Sequence, residues 1–284
     1  MAGGWPIGSE VCNGTDQGSV TTTSNGTAVV TSSSTNTKGS WTQLIASSAI
    51  DACWIVVTGG AASTADTLAF DIGVGASGSE IAIIQNIINF SNNSWPIDSR
   101  LAFPCQIAAG TRISARAQAT VASQTMNIQV TLFDGEWNAL EGAEGVVDTY
   151  GFVSSTTLGT AIDPGATTNT KGTYAQLTAS TTADLLGFML AFDFQNDNAG
   201  AVGQITNLID ISTGASGSEI VLVPNIVINY MNYGSADGCA IYPTHIPFIP
   251  CPIPAGTRIA ARAQSSNATA TTRVFGLTFY GVRA

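Results

Sequence analysis

The sequence predicts an all-β fold of two tandem β-sandwich, jelly-roll-like domains related by internal duplication, with an extended N-terminal arm. Three observations predict it. The same motifs occur twice in the same order, short runs of β-branched and aromatic residues alternate with Gly-, Asn- and Ser-rich turns, and no segment has sustained helical periodicity with caps. Seven or eight short strands in each repeat are typical of such sandwiches.

Three pairs of motifs reveal the duplication, and they keep the same order in both copies. They are NTKGSW at Asn36–Trp41 with NTKGTY at Asn169–Tyr174, GASGSEI at Gly75–Ile81 with Gly214–Ile220, and AAGTRISARAQAT at Ala108–Thr120 with PAGTRIAARAQSS at Pro254–Ser266. The spacing between the copies grows from 133 to 139 to 146 residues. The second copy therefore holds extra residues around Phe194–Gly203 and Tyr233–Pro247, where we expect loops.

The matches divide the chain into four parts: an arm at 1–18, a first sandwich at 19–136, a linker at 137–147 and a second sandwich at 148–284. Each sandwich has the size of an ordinary domain. The arm has no counterpart before the second repeat, and it either docks on a neighbouring molecule in an assembly or forms a disordered tail. We expect the glutamates of the linker to keep it solvated.

The candidate strands follow each other at similar places in the two copies. In the first copy they are Thr27–Val30, Trp41–Ala46, Cys53–Thr58, Leu68–Val74, Ile81–Phe90, Arg112–Ala119 and Asn127–Phe133. In the second copy they are Thr160–Ile162, Tyr174–Ala179, Leu185–Phe194, Ile205–Ser212, Ile220–Tyr230, Arg258–Gln264 and Val274–Val282.

Composition narrows the classes of partner. The net charge is −10 with nine Lys and Arg, which disfavours binding to nucleic acid. The apolar runs are far too short to span a membrane, and the N-terminus has neither the basic start nor the apolar core of a signal peptide. Only 10% of the residues are charged while 44% are hydrophobic, so we expect much of the surface to consist of Ser, Thr, Asn and Gly or to be covered by partner subunits.

The repeated arginine strand has one polar and one small apolar face, because Arg112 and Arg116 alternate with Ile113 and alanines. In so weakly charged a chain, charges that recur in both copies are informative. We expect them to form structural ion pairs that hold the GASGSE turn on the arginine strand, or arginine contacts at a subunit interface. The alternative is an acid and a base around a substrate. These residues are Glu80, Arg112, Arg116, Glu219, Arg258 and Arg262.

The sequence offers no catalytic residue, cofactor site or metal site that we can assign. Triad chemistry would have to use His245, the only histidine, which we place in a proline-rich extended loop. Asp193, Asp197 and Asn198 could supply oxygen ligands to calcium, but a polar turn explains them better. Trp95, in the loop NNSWPID, and His245 remain candidate ligand-loop residues, with Trp95 as a possible sugar-stacking platform.

The five cysteines have no metal-binding spacing. Cys105 and Cys251 occupy matching places in the two repeats, which predicts a small, buried apolar role for both. Without a signal peptide we expect free thiols, and a bridge between Cys239 and Cys251 is the alternative.

The repeated phrases NTKGSWTQL, GASGSEI and PAGTRIAARAQ, with a closing LFDG or FYGV, resemble modules of tailed-bacteriophage virion proteins. The resemblance covers about residues 20–136 and 152–284 and extends to head decoration proteins, head fibres and tail or baseplate accessories. It implies a protein that binds and assembles without catalytic residues. The expected localisation is the virion, assembled in the host cytoplasm.

We consider three functions, of which the first two follow from this resemblance and the third is an alternative outside it. The first is a non-enzymatic capsid decoration or cement protein on the head exterior. The second is a tail fibre or baseplate accessory protein that binds a host-surface glycan or receptor, and the third is a polysaccharide-degrading enzyme. The expected partners are the major capsid protein or tail proteins and further copies of the chain, with a trimer as one possible oligomer.

Overall fold

The all-β prediction is confirmed in the computed structural model, whose described residues form nineteen strands. The structure describes residues 26–62, 66–92, 95–96, 99–133, 143–193, 203–232, 239–242, 245–269 and 273–284. The predicted arm at 1–18 lies outside these ranges. Within them, no helix has the length and apolar character needed to cross a bilayer.

The chain forms two compact units, one comprising the chain up to Asp148 together with Val282–Ala284 and the other comprising Thr149–Gly281. The strands of the first unit are β1 (Thr27–Val30), β2 (Thr42–Ile45), β3 (Ala52–Ala62), β4 (Asp66–Val74), β5 (Ile81–Asn92), β6 (Trp95–Pro96), β7 (Ser99–Ile107), β8 (Ile113–Ala119) and β9 (Thr125–Phe133).

The first unit is a jelly roll. One sheet has the order β1-β9-β3-β7, and the facing strands run β2-β8-β4-β5, with the two-residue β6 on the outer side of β5. Chain neighbours such as β1 and β2, or β7 and β8, therefore lie in opposite sheets. This alternation is the double Greek key of a jelly roll, and it brings β8 beside β4.

The second unit repeats this order. After β10 (Val147–Tyr150), its strands are β11 (Thr160–Ile162), β12 (Ala175–Thr178), β13 (Leu185–Asp193), β14 (Gly203–Thr213), β15 (Ile220–Asn232), β16 (Cys239–Tyr242), β17 (His245–Ile249), β18 (Ile259–Ser265) and β19 (Phe275–Arg283). One sheet contains β11-β19-β13-β17 and the other β12-β18-β14-β15-β16. The predicted pair of duplicated sandwiches is thus present.

Sequence analysis missed the short strands β6, β10 and β16 and two longer ones, β7 and β17. Both contain proline, Pro104 in β7 and Pro247 in β17, and proline argues against a central strand because it cannot donate to the ladder. Each lies at the edge of its sheet, where proline is tolerated. The prediction of a loop around His245 is therefore wrong, because His245 begins an edge strand.

Alternating side chains build the core between the two sheets. On β9, Met126, Ile128, Val130 and Leu132 are all fully buried, while the intervening residues are partly exposed. In the second unit the core is richer in aromatics, and the rings of Phe188 and Phe279 stack with their centroids 4.6 Å apart. Each core leaves the outer face of the β8 or β18 sheet free for polar groups.

The two NTKG motifs form turns that are attached to the arginine strands. In the first unit, the backbone N–H of Gly39 donates to Ala117 O at 2.8 Å, and in the second the N–H of Gly172 donates to Ala263 O at 2.8 Å. A Cβ at Gly172 would collide with the carbonyl oxygen of Asp163, so this turn requires glycine. The turns fix the lysines that precede these glycines.

Residues 143–147 of the predicted linker pack against the first unit. Ala143 and Val147 are buried, and Val147 pairs in parallel with Ile84 of β5. The Cys105 thiol donates to the carbonyl oxygen of Gly145 at 2.9 Å. This part of the connection is integrated into the first sandwich, while residues 137–142 lie outside the described ranges.

Candidate functional site

A buried carboxylate organises the outer face of the first sheet. The side chain of Asp71, on β4, is 2% exposed, and its two oxygens accept from different cations. Lys38 Nζ lies 2.7 Å from Oδ1 and Arg116 Nε lies 2.8 Å from Oδ2. The backbone N–H of Asn86 also donates to Oδ1, at 2.8 Å. One carboxylate thus joins the NTKG turn, the arginine strand and β5.

The second unit repeats this cluster around Asp210. Lys171 Nζ lies 2.7 Å from Oδ1 and Arg262 Nε lies 3.0 Å from Oδ2. The N–H of Asn225 donates to Oδ1 at 3.0 Å. Asn225 has φ of +55° at a register shift of β15, so the carboxylate also stabilises a β-bulge.

An aromatic ring covers each arginine of these clusters. The Arg116 guanidinium lies 4.5 Å from the ring centroid of Trp41, and Arg262 lies 4.6 Å from that of Tyr174. Both distances are typical of cation–π contacts. A Cβ at Gly73 would approach the Trp41 ring to 2.6 Å, so this indole packs directly against the sheet at Gly73. The aromatic residue of each NTKG motif therefore packs on the outer face of its sheet.

The second repeated ion pair joins the GASGSE turn to the arginine strand. Arg112 Nη1 lies 2.8 Å from Glu80 Oε1, and it also donates to Gly75 O at 3.2 Å. In the second unit Arg258 Nη1 lies 3.1 Å from Glu219 Oε1. Glu80 and Glu219 are 3% and 5% exposed at the side chain, so both pairs are largely shielded from water.

The protonation of these groups follows from their contacts. Burial alone would raise the pKa of Glu80, but the hydrogen bonds from Arg112 and backbone amides hold it below its ordinary value. The same balance lowers the pKa of Asp210, where burial is opposed by Lys171, Asn225 and Arg262. Burial lowers the pKa of Lys38 more than Asp71 raises it. The carboxylates of Glu80 and Asp210 therefore stay ionised at neutral pH and act as acceptors.

This arrangement holds turns and strands together. Each described carboxylate of the face accepts from a cation and from a backbone amide, which leaves none of them in the geometry of a general base aimed at a cleft. Among the described residues no group of three or more His, Cys, Asp or Glu side chains is placed to bind a metal ion.

Sequence analysis missed the centre of each cluster. It identified Arg116 and Arg262 but not their partners Asp71 and Asp210. A signal was present, because the two aspartates are 139 residues apart, the same offset as the GASGSEI motifs that follow them. The lysines of the two NTKG motifs gave the second signal, with the offset of 133.

The two candidate ligand-loop residues have different outcomes. Trp95 lies in the short strand β6, whose backbone pairs with Asn92 of β5, so its placement in a loop is corrected. The backbone of His245 pairs with Ala191 of β13. Burial lowers the pKa of its imidazole to about 4, so it is neutral at physiological pH.

Three described cysteines are free thiols: Cys53, Cys105 and Cys251. Cys105 is fully buried, and burial raises the pKa of its thiol to about 12. Cys251, at the matching place, is only partly buried, so the prediction of a buried cysteine is confirmed for Cys105 and wrong for Cys251. Asp197 and Asn198 lie outside the described residues, as does the side chain of Asp193, so the calcium alternative stays untested.

The GASGSEI motif ends in an exposed aliphatic residue in both units. Ile81 is 70% exposed and Ile220 is 68% exposed, more than any other large hydrophobic residue in the described part of the chain. Each is the first residue of its strand, β5 or β15. The duplication has thus kept an apolar contact point beside the Glu–Arg pair in each copy.

No family model and no curated protein matches this chain. Among solved structures, PNGF-II is similar with 9% identity and a TM-score of 0.35, over 92% of this chain and 62% of that one. The N-terminal CBM22-1-CBM22-2 tandem domain from Paenibacillus barcinonensis Xyn10C has 8% identity and a TM-score of 0.28, over the full length of both. At such low scores neither likeness bears on what this chain does.

Proposed function

We propose that this chain is a non-enzymatic structural protein of a bacteriophage virion, a decoration or cement protein on the head exterior. The observation that carries the proposal is the pair of exposed isoleucines, Ile81 and Ile220, at the same place in two jelly rolls. Two equivalent contact points on one chain suit a partner that is itself repeated, such as the major capsid protein. Bivalent contact raises the apparent affinity without any new kind of contact.

The charged groups support the same function. In a chain with only nine Lys and Arg, the recurring cations are used within each unit, on Asp71 and Glu80 or on Asp210 and Glu219. Such pairs make each sandwich a rigid module. A rigid module with an acidic net charge fits the outside of a capsid, away from packaged DNA.

The first test is localisation. Purified particles are labelled with a gold-conjugated antibody against the chain, and its copy number is measured by quantitative mass spectrometry. Dense label over the head at high copy number is expected. Sparse label at the tail tip would replace decoration by the second function, and particles without label would overturn both.

The second test addresses the contact points. Binding to emptied heads is measured for Ile81→Glu, Ile220→Glu and the double variant. Each single change should weaken binding, and the double change should abolish it, because the avidity of two sites is lost. Val121→Glu is the matched control, since Val121 is 50% exposed but has Asn267 at the matching place. Equal binding by all variants would overturn the role of these isoleucines.

The second function is the binding of a host-surface glycan or receptor by a tail fibre or baseplate accessory protein. One observation favours it. The extra residues of the second repeat fall between β13 and β14 and between β15 and β17. Gly203, which begins β14, pairs with Asn232, which ends β15, so both insertions start from the same end of the sandwich. Longer connections at one end of a sandwich are typical of binding loops. Binding of the isolated protein to host cells would favour this function.

A further inference from the structure

In the second unit, most of one edge of β15 is apolar and has no strand beside it among the described residues. Along residues 220–228, β15 pairs with β14 alone among the described residues, and β16 pairs only with Asn229–Asn232. This stretch reads IVLVPNIVI and contains no charged residue. Val221 is 36% and Val227 48% exposed. Natural proteins usually protect such edges with charges or cover them.

The first unit shows what occupies the equivalent edge. Val147 pairs in parallel with Ile84 of β5, and Ile84 matches Val223 of β15 in the duplication. Val147 is 2% exposed. Ile88, which matches Val227, is 1% exposed, against 48% for its counterpart. The same edge thus holds a short apolar segment of this chain in one unit and has no described occupant in the other.

The residues along this edge of β15 indicate which kind of segment could bind there. Pro224, which matches Gln85, removes a donor from the middle of the strand and so disfavours a long ladder with a second β15. A short segment that needs only one or two backbone hydrogen bonds is compatible with it, as Val147 is with Ile84. Since the edge carries no charge, an uncharged segment with apolar side chains would be the best match.

The N-terminal arm has this composition. Residues 1–9, MAGGWPIGS, contain no ionisable side chain, and Trp5 and Ile7 supply apolar groups. Residues 1–18 have no counterpart before the second repeat. We propose that the arm of one copy binds along the apolar edge of β15 in a second copy, through strand addition around Val223. This self-association does not depend on whether the protein belongs to the head or to the tail of the particle.

The test uses a labelled synthetic peptide of residues 1–18, titrated into the chain lacking residues 2–17. Saturable binding is expected. Val227→Lys should weaken it about tenfold, because the change removes an apolar contact and places a charge on the edge. Val153→Lys is the matched control, since Val153 is 64% exposed in the same unit but lies off this edge. Absence of peptide binding, or equal binding to both lysine variants, would overturn the proposal.

Sedimentation of the full chain shows whether the arm bound at β15 comes from a second copy or from the same chain. The full chain should sediment as an oligomer, and both the deletion of residues 2–17 and Val227→Lys should return it to one chain. A full chain that stays monomeric while the peptide still binds would mean that each arm occupies its own β15, which contradicts binding to a second copy. Because no heads are used, failure here leaves the decoration proposal to its own tests.

Discussion

The outer sheet face and the outer strand edge of the two repeats have diverged to very different extents. On the face, Asp71 and Asp210 accept from the same set of partners, with corresponding distances that agree within about 0.2 Å. At the edge, Ile88 is buried while its counterpart Val227 is half exposed. On the face, the charged groups bind one another, so a change in one residue would leave its partners unpaired. At the edge, the exposure of a residue depends on which segment lies beside the strand.

In the cores, an apolar side chain and a buried amide have exchanged places between two paired strands. In the first unit Leu68 on β4 lies opposite Asn89 on β5, and in the second Asn207 on β14 lies opposite Ile228 on β15. Each unit keeps one apolar side chain and one amide at this buried pair, on opposite strands. The amide of Asn207 has no hydrogen-bond partner within the described protein. Packing is thus conserved as a pair of residues rather than position by position.

The largest effect should come from the central carboxylates. Asp71→Ala and Asp210→Ala should each destabilise their own unit by about 3 kcal/mol, because each leaves a largely buried lysine and an arginine without their shared partner. Tryptophan fluorescence reports the first unit, since residues 149–281 contain no tryptophan, and circular dichroism reports both. Denaturant titrations with both probes give the two values. Unequal losses would show that the clusters are energetically different despite their common geometry.

A smaller effect is expected from the turns that hold the lysines. Gly39→Ala and Gly172→Ala should each cost about 2 kcal/mol, because the added methyl group meets a carbonyl oxygen of the neighbouring chain segment in both units. Thr173→Ala, next to Gly172 and exposed, is the control and should be neutral. If only one glycine variant is destabilised, the two turns do not share the same tight packing.

Replacing the buried amide of the second unit with the apolar residue of the first should increase stability. Asn207→Leu should stabilise the second unit by about 1 kcal/mol, because it replaces a buried amide that has no partner with the residue of the first repeat. Leu68→Asn, the reverse change, should destabilise the first unit. Loss of stability in Asn207→Leu would mean that the space opposite Ile228 is too small for leucine.

The smallest effect is expected from the repeated glutamates. Hydrogen bonds from backbone amides and Arg258 outweigh the effect of burial and lower the pKa of Glu219. The ionised Glu219 therefore adds to the free energy of unfolding above its unfolded pKa, and this stabilisation is lost as the pH falls through its folded pKa. Glu219→Gln should lower the melting temperature slightly at pH 7, with the difference shrinking as the pH falls below the ordinary glutamate pKa and vanishing once the folded carboxylate is protonated. A difference that persists in acid would show that the charge is not its cause. Glu80→Gln gives the matched value for the first unit.

Much of the fold and part of the site followed from local patterns. Repeated motifs located the two units, and alternation on the arginine strands identified Arg112 and Arg258 as outward residues. The edge strands β7 and β17 were missed, because Pro104 and Pro247 argue against a strand until the strand order places both strands at sheet edges, where proline is tolerated. Asp71 was missed because a carboxylate within LAFDIGV gives no local sign that two cations converge on it.

The sequence by itself determined the duplication, the all-β class and the pairs of charges kept in both copies, because these depend on residue type and spacing along the chain. Only the tertiary structure decided which groups meet. The jelly-roll order places β4 beside β8, and so brings Asp71 between Lys38 and Arg116, which come from distant parts of the chain. It also decided that one outer edge receives Val147 while its counterpart at Val223 has no described occupant, because strand neighbours are set by topology and not by local sequence.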